Sequence, residues 1–206
     1  MLEEARRRGF LGPGPVSAHL DHADGFGEAL LSAASDDAGA GGASRRGADL
    51  GSGAGVPGLP LALSMPTTEW VLVEVGARRA AFLRDTVRNL GLEGRVVVLQ
   101  ERAELVGRLP AYRSTFDLVV ARGFGRPSIV AECAAPLLRV GGSVIVSEPP
   151  EGEPARWPVD GLAEFGLVRG PAVTAEHAAF QVLTQREPCS DRFPRRVGVP
   201  AKRPLF

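Results

Sequence analysis

The stretch ADLGSGAGVPG, residues 48–58, decides the fold. Three glycines at alternate positions, Gly51, Gly53 and Gly55, stand between the end of a strand and the start of a helix. Glycine there removes the Cβ atoms that would keep a ligand off the backbone, and it permits the positive φ angles of a tight turn. Doubly wound sheets bind their ligands at such a turn. The stretch therefore predicts a binding site, with a tight turn that holds no ligand as the alternative.

Outward from this turn, short apolar runs alternate with helical patterns, which is typical of stacked βαβ units. The first predicted strand ends with residues 48–50. Further strands are predicted over 67–75, 95–100, 116–121, 141–148, 167–173 and 178–185. Helices are predicted over 57–64, 77–90, 128–138 and 159–165. A short link separates the last two strands, which favours an antiparallel hairpin. We expect a doubly wound α/β domain whose seven-stranded sheet is otherwise parallel.

The chain before this domain differs from it in composition and in predicted structure. Residues 1–31 are predicted to form a short helical segment, with a helix from about Ser17 to Leu31. Residues 32–47, SAASDDAGAGGASRRG, hold almost no large apolar side chain, which favours a flexible connector. The domain itself is predicted over 48–206, with a basic arm over 192–206.

Composition excludes several classes of protein. The 206 residues are 44% hydrophobic and 23% charged, which excludes a mainly disordered chain. Two cysteines cannot build a zinc site or a disulfide framework. No apolar run approaches the roughly 20 residues of a membrane span, and the N-terminus lacks the apolar core of a signal peptide. We expect a soluble cytoplasmic protein with no membrane partner and no metal.

Two carboxylates narrow the choice of ligand at the glycine turn. Asp49 precedes the first glycine, where it would repel a pyrophosphate but suits a cationic ligand. Glu74 ends the second strand, where it can accept hydrogen bonds from two ribose hydroxyls. An acid there also serves NAD, and a solvated strand end is the plain alternative. No Gly-Lys-Ser/Thr is present, which excludes a nucleotide-triphosphate loop. S-adenosylmethionine, an adenosine with a positive sulfonium and no phosphate, fits best.

With these residues in place, the sequence resembles the ribosomal small-subunit methyltransferase G family, also called glucose-inhibited division protein B. The resemblance rests on DLGSGAGVPGLPLAL (49–63), ARRAAFLRDTVRNLGL (77–92), ERAE (101–104), FDLVVARGF (116–124), PLLRVGG (136–142) and FPRRVGVPAKRPL (193–205). It implies a Rossmann-like class I S-adenosylmethionine-dependent methyltransferase fold. It also implies methylation of N7 of a guanine in 16S ribosomal RNA, with the small ribosomal subunit as partner, and we expect a monomer.

The resemblance also implies roles for single residues. Gly51 and Val56 would touch the methyl donor, and Ala103 and Glu104 would flank its adenine. Asp49, Gly53, Gly55 and Glu74 join this donor site on the arguments above. Arg122, at the end of the fourth strand, would line the transfer site and touch the donor. Arg195 would contact RNA or organise the pocket, so the expected catalytic residues are Arg122 and Arg195.

What the sequence lacks agrees with this chemistry. Guanine N7 carries a lone pair and no proton, so its methylation needs positioning and no general base. The fourth strand is followed neither by the Asp/Asn-Pro-Pro-aromatic motif of exocyclic-amine methyltransferases nor by the Pro-Cys of carbon-5 enzymes. Cys133 lies on an apolar helical face and is expected in the core.

The chain departs from the family pattern in two places. The N-terminal Trp-Asn…Asn-Leu-Thr segment is replaced by VSAHLDHADGF (16–26), and the lysine expected after the fifth strand is replaced by Glu148. Alternative functions are therefore a methyltransferase acting on another RNA, a protein or a small molecule, or a non-catalytic ribosome-binding homologue. His19 and His22 are expected to cover the mouth of the donor pocket or to stay solvated, with a metal site as the alternative.

For Arg122 and for the basic arm, a purely structural role is the alternative to a role in ligand or RNA binding. Arg122 could pair with Asp117 or Glu148 and have no role at a ligand. The basic arm could fold back on the domain, with its arginines paired to surface carboxylates, in place of contacting phosphates.

Overall fold

A computed structural model describes residues 1–34, 45–149, 154–175 and 178–206. The helices that it describes are α1 (Leu2–Arg7), α2 (Val16–Ala34), α3 (Gly58–Ser64), α4 (Ala77–Asn89), α5 (Ala103–Val106), α6 (Pro127–Ala134), α7 (Val159–Ala163) and α8 (Val199–Lys202), with a single 3-10 turn at Pro154–Arg156. The strands are β1 (Arg45–Leu50), β2 (Thr68–Val73), β3 (Val96–Leu99), β4 (Phe116–Ala121), β5 (Leu138–Glu148), β6 (Leu167–Ala175) and β7 (Ala178–Gln185).

All seven described strands form one sheet in the order β3-β2-β1-β4-β5-β7-β6. Strands β1 to β5 run parallel to one another, whereas β7 runs antiparallel to both of its neighbours, β5 and β6. The predicted α/β sheet with an antiparallel C-terminal hairpin is confirmed. The chain winds outward from β1 to β3 and then returns to β4 on the other side of β1. The crevice between the carboxyl ends of β1 and β4 is therefore the topological switch point, where such sheets bind ligands.

Each parallel strand supplies side chains to both faces of the sheet, as buried parallel strands do. In β2, Val71 and Val73 join one core, which α5 and α6 cover, while Trp70 and Leu72 join the other. The second core is closed by residues of α2, α3 and α4. The sheet is thus a rigid middle layer that fixes where the strand ends lie.

The N-terminal segment belongs to this domain and is not an appendage. Phe26 of α2 is fully buried, and its ring lies 4.7 Å, centroid to centroid, from that of Phe180 in β7. Leu2 and Ala23 pack on Val56, so α1 and α2 close over the glycine turn.

The connector predicted over 32–47 was too long at both ends. Helix α2 continues to Ala34, and β1 begins at Arg45. Arg45 and Arg46 are held in the sheet by pairing with Thr68 and Glu69, a long-range contact that their composition does not signal. Residues 35–44 lie outside the described part of the chain.

The boundary between α6 and β5 also differs from the prediction. Helix α6 ends at Ala134, and Leu138, expected in that helix, begins β5 opposite Phe116. Among the described residues, no helix is both long enough and apolar enough to cross a membrane.

Candidate functional site

The glycine turn is fastened to the end of the neighbouring strand. The backbone N–H groups of Gly51 and Ser52 both donate to the carbonyl of Val73, at 2.9 and 3.0 Å. Gly51, Gly53 and Gly55 all have positive φ angles, of 71°, 56° and 89°. This is the left-handed region that only glycine enters without strain, so the alternating glycines are required by the path of the turn.

The three glycines differ in what surrounds them. A Cβ on Gly55 would lie 2.4 Å from Leu59 Cδ1, so Gly55 allows the turn to pack against α3. A Cβ on Gly51 would lie 2.9 Å from the ring of Phe124. A Cβ on Gly53 would meet only the carbonyl oxygen of Gly51 among the described residues, at an ordinary contact distance of 3.6 Å, so this position is not crowded. Room for a ligand over the turn therefore lies at Gly53.

Glu74 is fixed by the turn. Its side chain is 4% exposed, so the alternative of a solvated strand end is wrong. Glu74 Oε2 accepts a hydrogen bond from Gly53 N at 2.9 Å, and Oε1 accepts one from Gly76 N at 2.6 Å. Arg79 Nε lies 3.4 Å from Oε1. Each oxygen keeps a further lone pair, so the carboxylate is held in place and can still accept from a ligand.

A cavity of about 350 Å³, here the Glu74 cavity, opens beside this carboxylate. Its lining comes from the ends of β2, β3 and β4 and from the C-terminal arm: Gly51, Val73, Glu74, Val75, Arg79, Glu101, Arg102, Ala103, Glu104, Gly123, Phe124, Ile129, Cys133 and Ala201. The predicted pair Ala103 and Glu104 thus lies with Glu74 in one cavity. Cys133 is 1% exposed and packs in the core, as expected.

A second cavity, here the Arg122 cavity, has a volume of about 330 Å³. Its lining joins the N-terminal segment to the glycine turn and the end of β4: Phe10, Leu11, Gly12, His19, Gly51, Ser52, Gly53, Ala54, Val56, Arg122 and Gly123. Gly51 and Gly123 line both cavities. The two cavities are therefore neighbours over the same turn.

Arg122 is half-buried, and its partner is His19. Arg122 Nη2 lies 2.8 Å from His19 Nδ1, and His19 Nε2 lies 3.2 Å from the carbonyl oxygen of Gly12. The pairings suggested as alternatives are wrong, because Asp117 binds Arg139 and Arg46 N, while Glu148 binds Arg156 and Trp157 Nε1.

Asp49 lies beneath the turn. It is 1% exposed, and its Oδ2 accepts from Gly58 N at 3.1 Å, while Oδ1 has no hydrogen-bond partner among the described residues. Burial raises the pKa of this carboxyl to about 7. Asp49 and Gly55 line neither cavity, so their predicted contact with a ligand stays a prediction.

The C-terminal arm folds back on the domain. Arg195 pairs with the fully buried Glu132 of α6, and Arg192 pairs with Glu164. Gly198 N donates to Glu104 Oε1 at 2.9 Å, which ties the arm to the Glu74 cavity. Arg195 itself lines neither cavity. Its predicted role in catalysis stays a prediction, and its observed contacts are those of a residue that holds the arm in place.

The sequence did not predict several of the residues that line these cavities. Phe124 follows Arg122 by two positions in the FDLVVARGF motif, but an aromatic residue after a strand does not by itself indicate a ligand contact. Phe10 and Ala201 reach the site only through folding of the two termini, which no local pattern signals. Within the described residues, no group of three His, Cys, Asp or Glu side chains can hold a metal ion.

The fold is similar to solved methyltransferase structures. A SAM-dependent methyltransferase from Aquifex aeolicus matches with a TM-score of 0.59 at 17% identity, over 81% of this chain and 92% of that one. Geranyl diphosphate methyltransferase, crystallised with sinefungin, matches with a TM-score of 0.56 at 15% identity, over 77% and 78% of the two chains.

Sequence comparison gives much higher identities. The ribosomal RNA small subunit methyltransferase G of Rubrobacter xylanophilus is 39% identical over 174 residues, which are 79% of this chain and 66% of the relative. The enzyme of the same name from Moorella thermoacetica is 38% identical over 164 residues, 76% and 68% of the two chains. This chain thus spans about two thirds of their length. The sequence model of the family described as rRNA small subunit methyltransferase G matches residues 39–148. This chain belongs to that family.

Proposed function

We propose that this protein methylates N7 of a guanine in 16S ribosomal RNA, within the small ribosomal subunit, with S-adenosylmethionine as the methyl donor. The observation that carries the proposal is the meeting of two cavities at one glycine turn. One cavity presents the fixed carboxylate of Glu74, and the other presents the guanidinium of Arg122. The names of the similar enzymes support the ribosomal substrate.

The residues present fit this donor. Glu74 has lone pairs left for the two ribose hydroxyls, and Ala103 and Glu104 lie beside it for the adenine. Gly53 is uncrowded and lines the Arg122 cavity, so the chain of the donor can cross the turn there. Arg122 is then the cation available to the α-carboxylate of the donor.

The chemistry is a direct displacement. When bound, S-adenosylmethionine supplies an electrophilic methyl group on a sulfonium. The N7 lone pair forms the new C–N bond while the C–S bond breaks and its electron pair returns to sulfur, so no proton moves. The protein therefore contributes position and exclusion of water. Phe10 and Leu11 supply an apolar wall to the Arg122 cavity for this purpose.

Cations around the Glu74 cavity supply an RNA-facing edge. Arg102 lines that cavity, Lys202 follows Ala201 in its wall, and Arg126 lies between Phe124 and Ile129. The three cationic side chains are exposed and have no ion pair within the described ranges, so they are available to phosphates. The acid that replaces the family's lysine, Glu148, is offset by Arg156.

The test is methyl transfer to small ribosomal subunits isolated from a strain that lacks this gene. After incubation with labelled donor, the RNA is digested to nucleosides and analysed by mass spectrometry, with Arg122→Ala as the matched control. We expect 7-methylguanosine with the wild-type protein and none with the variant. Labelled donor that binds without forming 7-methylguanosine in subunits or in free 16S RNA would contradict the proposed substrate.

A further inference from the structure

His19 stands between the N-terminal segment and the transfer site. It is 5% exposed, although it lies on α2, which is far from the glycine turn in sequence. Both of its ring nitrogens are used, Nδ1 by Arg122 at 2.8 Å and Nε2 by the carbonyl of Gly12 at 3.2 Å. A guanidinium can only donate and a carbonyl can only accept, so this arrangement requires the neutral imidazole with its proton on Nε2.

We propose that His19 is a positioning residue that holds the Arg122 guanidinium at the wall of the Arg122 cavity, where it meets the carboxylate end of the methyl donor. The inference rests on the proposed function, because the donor is the ligand that Arg122 would bind. His19 would not touch the donor's reacting atoms. It would act by fixing one arginine rotamer before the donor arrives, which lowers the ordering cost of binding.

Protonation of His19 should remove this support. A protonated imidazole carries donors on both nitrogens, so it cannot accept from Arg122, and two cations would face each other. The charged and titratable groups facing His19 are Arg122 just after β4, Arg6 near the end of α1, and His22 on its own helix. Asp49 is the acidic group that acts on Arg122, whose pKa it raises against the effect of burial. Burial, together with Arg122, lowers the pKa of His19, so the neutral form prevails near pH 7 and the contact weakens on acidification.

The nearby His22 does not share this behaviour. Its ring packs against Phe26 and Phe180, and burial lowers its pKa to about 4. It therefore stays neutral near pH 7 and remains so until the pH approaches 4. His22→Asn is the matched control for effects of histidine removal from α2.

The experiment measures binding of two probes by calorimetry without RNA. S-adenosylhomocysteine carries the amino-acid end that would reach Arg122, whereas adenosine lacks it. At pH 7.5 we expect His19→Ala to weaken S-adenosylhomocysteine binding about tenfold and to leave adenosine binding unchanged. His19→Asn keeps an acceptor toward Arg122 and should restore most of the lost affinity. His19→Ala should have no further effect in an Arg122→Ala background, because His19 acts through Arg122.

Acidification supplies the second readout. As the pH is lowered from 7.5, the wild type and His22→Asn should lose more affinity for S-adenosylhomocysteine than His19→Asn does, since Asp49 titrates in all three proteins and only His19→Asn lacks the imidazole beside Arg122. Equal losses for both probes in His19→Ala, or an additive effect with Arg122→Ala, would overturn the positioning role, since a general packing defect gives that result. Failure of the wild type to bind S-adenosylhomocysteine at all would instead refute the proposed donor, so the two failures are distinguishable.

Discussion

Glu132 and Arg195 join helix α6 to the C-terminal arm through an ion pair whose carboxylate is fully buried. Arg195 Nε lies 2.8 Å from Glu132 Oε1, and Nη2 lies 2.6 Å from Oε2. Arg195 N also donates to Oε1, at 2.8 Å. Glu132 is fully buried, while the Arg195 side chain is 24% exposed. The pair therefore fixes the arm whose Gly198 holds Glu104.

Arg195→Ala should destabilise the protein strongly, because it leaves the Glu132 carboxylate buried with one backbone donor. Removal of one partner of a buried ion pair typically costs about 3 kcal/mol or more. Urea denaturation checks the free energy of unfolding. The matched control is Arg192→Ala in the exposed pair with Glu164, whose side chains are 59% and 52% exposed, and which should cost less than about 1 kcal/mol. Equal losses of unfolding free energy in the two variants would show that the buried Glu132 carboxylate is not stabilised by Arg195.

Gly53→Ala separates binding from stability. Its Cβ meets no close neighbour, so only the positive φ of 56° is strained, at a cost of about 1–2 kcal/mol. Gly91→Ala is the control, since its φ is 66° with nothing within 4 Å, and it lies outside the lining of both cavities. We expect similar melting temperatures, with affinity for S-adenosylhomocysteine reduced at least tenfold in Gly53→Ala alone. Equal binding by the two variants would place the donor elsewhere.

Asp49→Asn should stabilise the protein at high pH. Burial raises the pKa of Asp49 to about 7, above the value of about 4 in an unfolded chain. The folded protein therefore holds the proton between those values, and the stability linked to this group is greatest below pH 4 and is lost as the pH rises through 7. Each unit of pKa difference is worth about 1.4 kcal/mol.

The asparagine keeps an oxygen for Gly58 N and carries no charge. We expect its gain in unfolding free energy over the wild type to grow between pH 5 and pH 8, as measured by denaturation at each pH. The neutral control is Asp85→Asn, on the exposed face of α4, which should show no such trend. A gain that does not change with pH would mean that Asp49 is already charged in the folded protein at pH 5.

The part of the site predicted from sequence is the part encoded locally. The glycine turn, Glu74 and Arg122 each sit at the end of a buried strand, and parallel strands bring those ends together at one edge. Glu132 and Arg195 are 63 residues apart, and nothing near either residue signals the other. His19 was expected over the donor pocket or in solvent, but its contact with Arg122 depends on how α2 packs on the sheet. Such contacts between distant segments leave no periodic pattern in the sequence from which they could be predicted.

Glu74→Gln tests the carboxylate at the centre of the site. Both oxygens of Glu74 accept from backbone N–H groups, of Gly53 and Gly76. A glutamine has one oxygen and one nitrogen donor, so one N–H would face another donor, and an unsatisfied buried group costs about 1–3 kcal/mol. We expect unfolding free energy to fall by that amount and adenosine affinity to fall at least tenfold. Glu69→Gln, on the same strand but 61% exposed, should change neither quantity. Unaltered adenosine binding in Glu74→Gln would show that the ribose hydroxyls do not pair with this carboxylate.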